Sequence, residues 1–127
     1  MKPTLISRHD APPFGADGTL ITGYAAPSRG AESVSLWRVE LDPGTSSPLH
    51  ELDAEEVFLG LAGSADFTID GRQLTVRAGD CLVVPPHTAF TLTAGADARF
   101  QAVACMPTGG RATLLPAGPT FVPPWAQ

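Results

Sequence analysis

Gly44-Thr45-Ser46-Ser47-Pro48-Leu49-His50-Glu51-Leu52-Asp53-Ala54-Glu55-Glu56, with Gly63 seven residues further on, is the stretch that decides how this chain folds. A second segment answers it downstream: Gly79-Asp80-Cys81-Leu82-Val83-Val84-Pro85-Pro86-His87-Thr88-Ala89-Phe90. Turn-forming residues bracket both. Asp42-Pro43-Gly44, Ala62-Gly63, Ala78-Gly79-Asp80 and Pro85-Pro86 cut the chain into runs that suit strands better than helices. Inside these segments His50 and Glu56 are side chains that move protons or bind metals. Leu52 and Phe90 are not.

Working outward, the signal is alternation. Ser64-Ala65-Asp66-Phe67-Thr68-Ile69-Asp70 places Ala65, Phe67 and Ile69 on one face and Asp66, Thr68 and Asp70 on the other. Asp70-Gly71 then offers a two-residue type I′ turn, which needs positive φ at both central positions, and residues 72–76 return as the partner strand. Further strands are predicted over 19–24, 33–41, 56–61, 81–84, 90–93 and 98–106, with Ala94-Gly95-Ala96-Asp97 as another turn. No window carries a helical repeat of useful length. Short strands at this spacing predict an all-β sandwich or barrel, of which a jelly roll is one closure.

Composition agrees and narrows the function classes. The chain has 127 residues, enough for one core without disulfides or metal as staples. It is 43% hydrophobic and 17% charged, with 13 Gly and 13 Pro, a mix for short strands and many turns. A net charge of -5 with scattered basic residues argues against nucleic-acid binding, which needs clustered Lys and Arg. No run approaches the roughly 18 apolar residues of a membrane span. The first ten residues contain no apolar stretch of signal-peptide length. The expectation is a soluble, cytoplasmic protein. Cys81 and Cys105 are too few for a disulfide framework and are expected to be buried free thiols acting as small hydrophobes.

The spacing of the two quoted segments resembles the paired motifs of the cupin superfamily. The first family motif is Gly, five residues, His-X-His, three or four residues, Glu, six residues, Gly. Gly44, His50, Glu56 and Gly63 fall in register, and Leu52 stands where the second His belongs. The second motif is Gly, five residues, Pro-X-Gly, two residues, His. Gly79 and Pro85 match, while His87 replaces the Gly and Phe90 the final His. The Pro123-Pro124-Trp125 close also resembles the tail of some short bacterial single-domain cupins. The resemblance implies a cupin double-stranded β-helix, or jelly-roll barrel, as one domain over residues 1–127. Its parts are an N-terminal arm (1–18), a barrel core (33–106) and a Pro-rich tail (116–127). The tail's two prolines exclude it from helices and central strands, and its Phe121 and Trp125 are expected to pin it across the barrel surface or mouth. Family members commonly form homodimers, and the extended arm is compatible with that.

Carried over residue by residue, the resemblance gives His50 and Glu56 as surviving ligand positions and Leu52 and Phe90 as lost ones. Two ligands rarely hold a first-row metal tightly, so at most a weakly bound divalent transition metal is expected. His87, from the Pro85-Pro86 turn, would complete a set of two His and one carboxylate if its loop shifted inward; otherwise it is a rim residue. Glu51, Asp53 and Glu55 are expected on an exposed loop and His9 in solvent. Without metal, a Glu in an apolar pocket has a raised pKa unless a cation stands beside it, and His50 is the candidate neighbour. A hydrogen-bonded His50–Glu56 pair would be a general acid–base device, or else an internal ion pair that only holds two strands together. Leu52, Phe58, Phe90, His87 and Trp37 are the candidate pocket residues. Trp37, Val39 and Leu41 share one face of their strand and Leu36, Arg38 and Glu40 the other, and either face could point inward because an oligomer can cover the outer one. Tyr24, Arg38, Gln101 and Cys105 are expected to serve packing.

Three functions follow. The first is a metal-independent enzyme of isomerase, cyclase, lyase or hydrolase type, using His50 and Glu56 as acid and base on a small hydrophobic molecule. The second is a non-catalytic small-molecule binding or sensing module. The third is a metal-dependent dioxygenase or isomerase held by His50, Glu56 and His87.

Overall fold

Period-two alternation shapes most of the longer strands of this protein, and the faces it defines close two sheets on each other. The computed structural model describes residues 2–127. Its strands are β1 (Pro13–Phe14), β2 (Thr19–Ala25), β3 (Val34–Leu41), β4 (His50–Leu52), β5 (Glu56–Ala62), β6 (Ser64–Ile69), β7 (Arg72–Arg77), β8 (Cys81–Val84), β9 (Phe90–Ala94), β10 (Phe100–Pro107), β11 (Ala112–Leu114) and β12 (Thr120–Phe121). Helical structure among the described residues is confined to single 3-10 turns at Pro27–Arg29 and Pro124–Ala126.

One six-stranded sheet runs β1-β2-β3-β10-β5-β8 and the other β12-β11-β4-β9-β6-β7. Every pairing is antiparallel. The chain crosses repeatedly between the sheets, from β3 to β4, back to β5 and over again to β6. That is the all-β jelly roll of the cupin fold.

The local chemistry explains the register. In β3, Ser35, Trp37, Val39 and Leu41 are buried while Leu36, Arg38 and Glu40 lie on the outer face. In β6, Ala65 and Phe67 point inward opposite Val76 and Leu74 of β7. Asp70 and Gly71 adopt φ of 50 and 74, as the predicted turn requires, and pair Ile69 with Arg72. At the centre Phe67 stacks on Phe90 and meets Phe58 edge-on, with ring centroids 6.1 and 4.9 Å apart. Each ring removed from water contributes roughly 1.5–3 kcal/mol.

Several expectations need correction. β1, β4, β11 and β12 are two or three residues long, too short to show alternation in sequence. Residues 7–18 are not a free arm: Ala11 is buried, and Pro13 and Phe14 pair with Thr22 and Ile21 of β2. The tail contributes an edge strand and one 3-10 turn, because proline is tolerated at the first position of a turn where no N–H is needed. Cys81 is exposed and Cys105 half-buried, not core thiols. Cys81 lies on edge strand β8, and both face outward in register with Leu59 and Val57 of β5. Tyr24 and Cys105 are half-buried, and Arg38 donates to the Gln101 side chain on the outer face.

Candidate functional site

Between the sheets lies a cavity of about 420 Å³. Its walls are built by inward positions of strands from both sheets: Ile21, Trp37, Val39, Leu41 and Phe58 from one, Leu52, Leu92, Ala112, Leu114 and Phe121 from the other. His50 and Glu56 are the ionisable side chains among the lining residues, which include no Lys, Arg or Asp. An outer groove of similar volume, beside Asp17, Asp42 and Arg99, is far more open. Its charges answer each other, with Arg99 Nε 3.8 Å from Asp42.

His50 opens β4, where its backbone pairs with Phe90 of β9 and its ring tilts against the Phe90 ring at 4.4 Å. Nδ1 lies 2.8 Å from the Pro48 carbonyl oxygen. A carbonyl can only accept, so Nδ1 carries the proton and Nε2 is the unprotonated nitrogen of the neutral ring. Burial holds the imidazole below its ordinary pKa of 6.5, against a smaller opposing effect of the Pro48 bond. The ring is neutral at physiological pH.

Glu56 opens β5 on the opposite sheet, paired with Val84, and is 5% exposed. Its Oε1 is buried without a hydrogen-bond partner. Burial pushes its pKa up to about 8. With no cation lining the cavity, the carboxylic acid is the favoured form at pH 7.

The predicted His50–Glu56 hydrogen bond is absent: among the described residues neither a hydrogen bond nor an ion pair joins them. The physical reason is topological. His50 commits Nδ1 to Pro48 and stands on one sheet, while Glu56 comes from the other. The two line the same cavity with no polar bond between them.

Other predicted positions divide. Leu52, Phe58 and Trp37 line the cavity. Phe90 is completely buried and supports His50 from behind instead of facing the cavity. His87 does not reach the site. It is exposed on the turn after β8 with φ 57, and its N–H is tied to the Leu52 carbonyl at 2.7 Å. Asp53 accepts from the Arg111 backbone N–H and from Nε at 2.6 and 3.1 Å, which holds its carboxyl below the usual range. Glu55 and His9 are exposed and Glu51 is half-buried outside the cavity lining.

A resident metal is what the fold family implies, and the residues do not fit one. Leu52 and Phe90 offer no donor atoms, His87 is elsewhere, and no group of three or more His, Cys, Asp or Glu is close enough to hold an ion among the described residues. A carboxyl that burial keeps protonated is itself a poor ligand.

Part of the cavity wall comes from a segment of the chain whose role only its aromatic content announced. Phe121, Pro123 and Trp125 of the tail line the cavity, and Trp125 packs against Trp37 and Phe14 with centroids 6.4 Å away in each case. Arg29 holds the tail down by donating to the Tyr24 and Trp125 carbonyls at 2.6 and 2.7 Å. Ser35 adds a buried bond to the Ala126 carbonyl. Leu92 was reachable by parity from Phe90. Ala112 and Leu114 gave no sequence signal.

The fold and site together define a jelly-roll β-barrel enclosing an apolar cavity with two ionisable side chains in its lining. Residues 37–105 match the Cupin domain family, and the chain belongs to it. No curated protein matches the sequence. Among solved structures, the polyketide cyclase RemF from Streptomyces resistomycificus is similar at 20% identity over 97% of this chain and 89% of its own, with a TM-score of 0.74. A 7S globulin from Momordica charantia is similar at 21% identity, TM-score 0.77, over 93% of this chain and 39% of that one. Salicylate 1,2-dioxygenase from Pseudoaminobacter salicylatoxidans, as its adduct with gentisate, is similar at 19% identity and a TM-score of 0.69, over 82% of this chain and 31% of its own. Likenesses at these identities establish the fold alone. No helix is long and apolar enough to cross a membrane among the described residues.

Proposed function

We propose that this cupin is a metal-independent enzyme of isomerase, cyclase, lyase or hydrolase type, acting on a small hydrophobic molecule with His50 and Glu56 as its acid–base pair. The observation that carries this reading is the pairing of two ionisable, mutually unbonded groups across one otherwise apolar cavity. A buried polar atom left without a partner disfavours folding by about 1–3 kcal/mol, so its retention points to use. A cavity of about 420 Å³ suits a ligand of two or three fused rings. The likeness to a polyketide cyclase over nearly the full length of both chains is in keeping with this.

The test is a panel of neutral bicyclic and tricyclic compounds, followed for binding by tryptophan fluorescence and for conversion by mass spectrometry. Trp37 and Trp125 line the cavity and report occupancy directly. Glu56→Gln and His50→Gln are expected to lower turnover by about 100-fold or more while affinity stays within about threefold. Binding without conversion of any compound, in the wild type and both variants alike, would instead establish a non-catalytic binding module.

We further propose a homodimer joined through the outer face of the β1-β2-β3-β10-β5-β8 sheet. Val34, Leu59, Leu61 and Val83 are 47, 43, 42 and 50% exposed there. At the spacings of strands and residues in sheets, this face offers about 600–700 Å² per subunit, near what a standard interface uses. Two free cysteines accord with a reducing, cytoplasmic setting.

A further inference from the structure

We infer that His50 is the base and Glu56 the acid of this cavity, and that the substrate class is a neutral, ring-sized carbonyl compound with an enolisable C–H beside the carbonyl. This rests on the acid–base reading above and deepens it. The division of roles follows from geometry. Because Nδ1 of His50 is fixed to the Pro48 carbonyl at 2.8 Å, the ring has one unprotonated nitrogen, Nε2, and that nitrogen can only accept. Glu56 stands on the opposite sheet in a cavity lined by no Lys, Arg or Asp, so nothing stabilises a carboxylate there and the acid form has a proton to donate. A roughly spherical cavity of this volume is about 9 Å across, so one bicyclic ligand spans from one sheet to the other.

The step balances within the cavity. His50 Nε2 takes the proton from the carbon beside the carbonyl, and the electron pair of that C–H bond becomes the new C=C bond. The carbonyl π pair takes the Glu56 proton. The products are an enol, an imidazolium and a carboxylate, two opposite charges created together in a low-dielectric site where each stabilises the other. Reversal returns both groups to neutrality. The same lining disfavours carboxylate or phosphate substrates, which would meet no cation in the cavity.

The test uses 2-tetralone, a neutral bicyclic ketone, with tetralin as its carbonyl-free analogue and 2-naphthoate as an anionic one. Binding is read by saturation-transfer NMR, and enolisation by loss of the C1 and C3 proton signals in D₂O. The protein is expected to speed exchange at least about tenfold over free imidazole at equal concentration, and His50→Gln and Glu56→Gln each to abolish most of that gain. Both variants should still bind tetralin; if His50→Gln does not, His50→Phe, which packs on Phe90, replaces it. Tetralone that binds but exchanges at the imidazole rate overturns the enolisation inference and leaves the apolar cavity intact. Naphthoate binding more tightly than tetralone overturns the neutral substrate class. Failure of both tetralone and tetralin to bind overturns the reading under Proposed function as well.

Discussion

The two faces of β5 are inverted relative to what solubility asks of a strand. Inward it presents Glu56, Phe58 and Gly60; outward it presents Val57, Leu59 and Leu61. The carboxyl is hidden and the leucines are shown. A buried carboxyl with no cation beside it disfavours its charged form, and exposed leucines favour association, so neither face is optimised for an isolated stable barrel. Departures from a local rule concentrate where function needs them. The inner departure underlies the proposed site, and the outer one the proposed dimer face.

The largest effect expected from breaking this contrast lies inside, at Phe58. It is 3% exposed and packs edge-on against Phe67 and Phe90. Phe58→Ala should destabilise by about 3–5 kcal/mol in urea titrations. A loss under about 1 kcal/mol would mean that the cavity wall is not packed as described.

Next comes Glu56→Gln, read as a function of pH. Folding raises the Glu56 pKa from 4.5 to about 8. Below 4.5 the carboxyl is protonated in both states and exerts no effect. As pH rises the unfolded chain ionises first, so wild-type stability falls from 4.5 until about 8, where the folded form also ionises and the curve flattens. At pH 7 the glutamine variant should therefore be more stable than wild type by about 3 kcal/mol, and at pH 4 nearly equal. Equal melting temperatures at both pH values would remove the buried neutral acid from the account.

The smallest effect on stability is expected outside. Leu59→Lys combined with Val83→Lys should change the unfolding free energy of the chain by no more than about 0.5 kcal/mol each, as exposed positions do. The same pair should convert a dimer to a monomer in sedimentation velocity at micromolar concentration. A monomeric wild type would show that this face is covered by something other than a second copy, or by nothing.

How far the sequence carried depended on which forces act locally. Alternation and turn residues pointed to an all-β sandwich or barrel, because turns and period-two burial are decided within a few residues of Gly44, Asp70 and Gly79. The cupin-like motif spacing implied the jelly roll. Parity with Glu56 pointed Phe58 at the cavity, whereas for Trp37 parity alone left either face of its strand open, and in the structure both line the wall. What failed were relations across the barrel. Whether His50 touches Glu56 depends on two different sheets, and the Pro48 carbonyl that occupies His50 Nδ1 has no sequence signature. His87 sits near Phe90 in the chain, yet a left-handed backbone at φ 57 and the bond to Leu52 turn it outward. β11 is built by pairing with β4 and β12 by pairing with β11, not by any periodicity of their own.

The most direct test of the central claim is a pH titration of the Glu56 side-chain carboxyl by ¹³C NMR, assigned by difference from Glu56→Gln. The account predicts a midpoint at about 8, with the carboxyl protonated at pH 7. A midpoint at the ordinary 4.5 would mean that the group is ionised in the folded protein, and the neutral-acid reading of this cavity would be wrong.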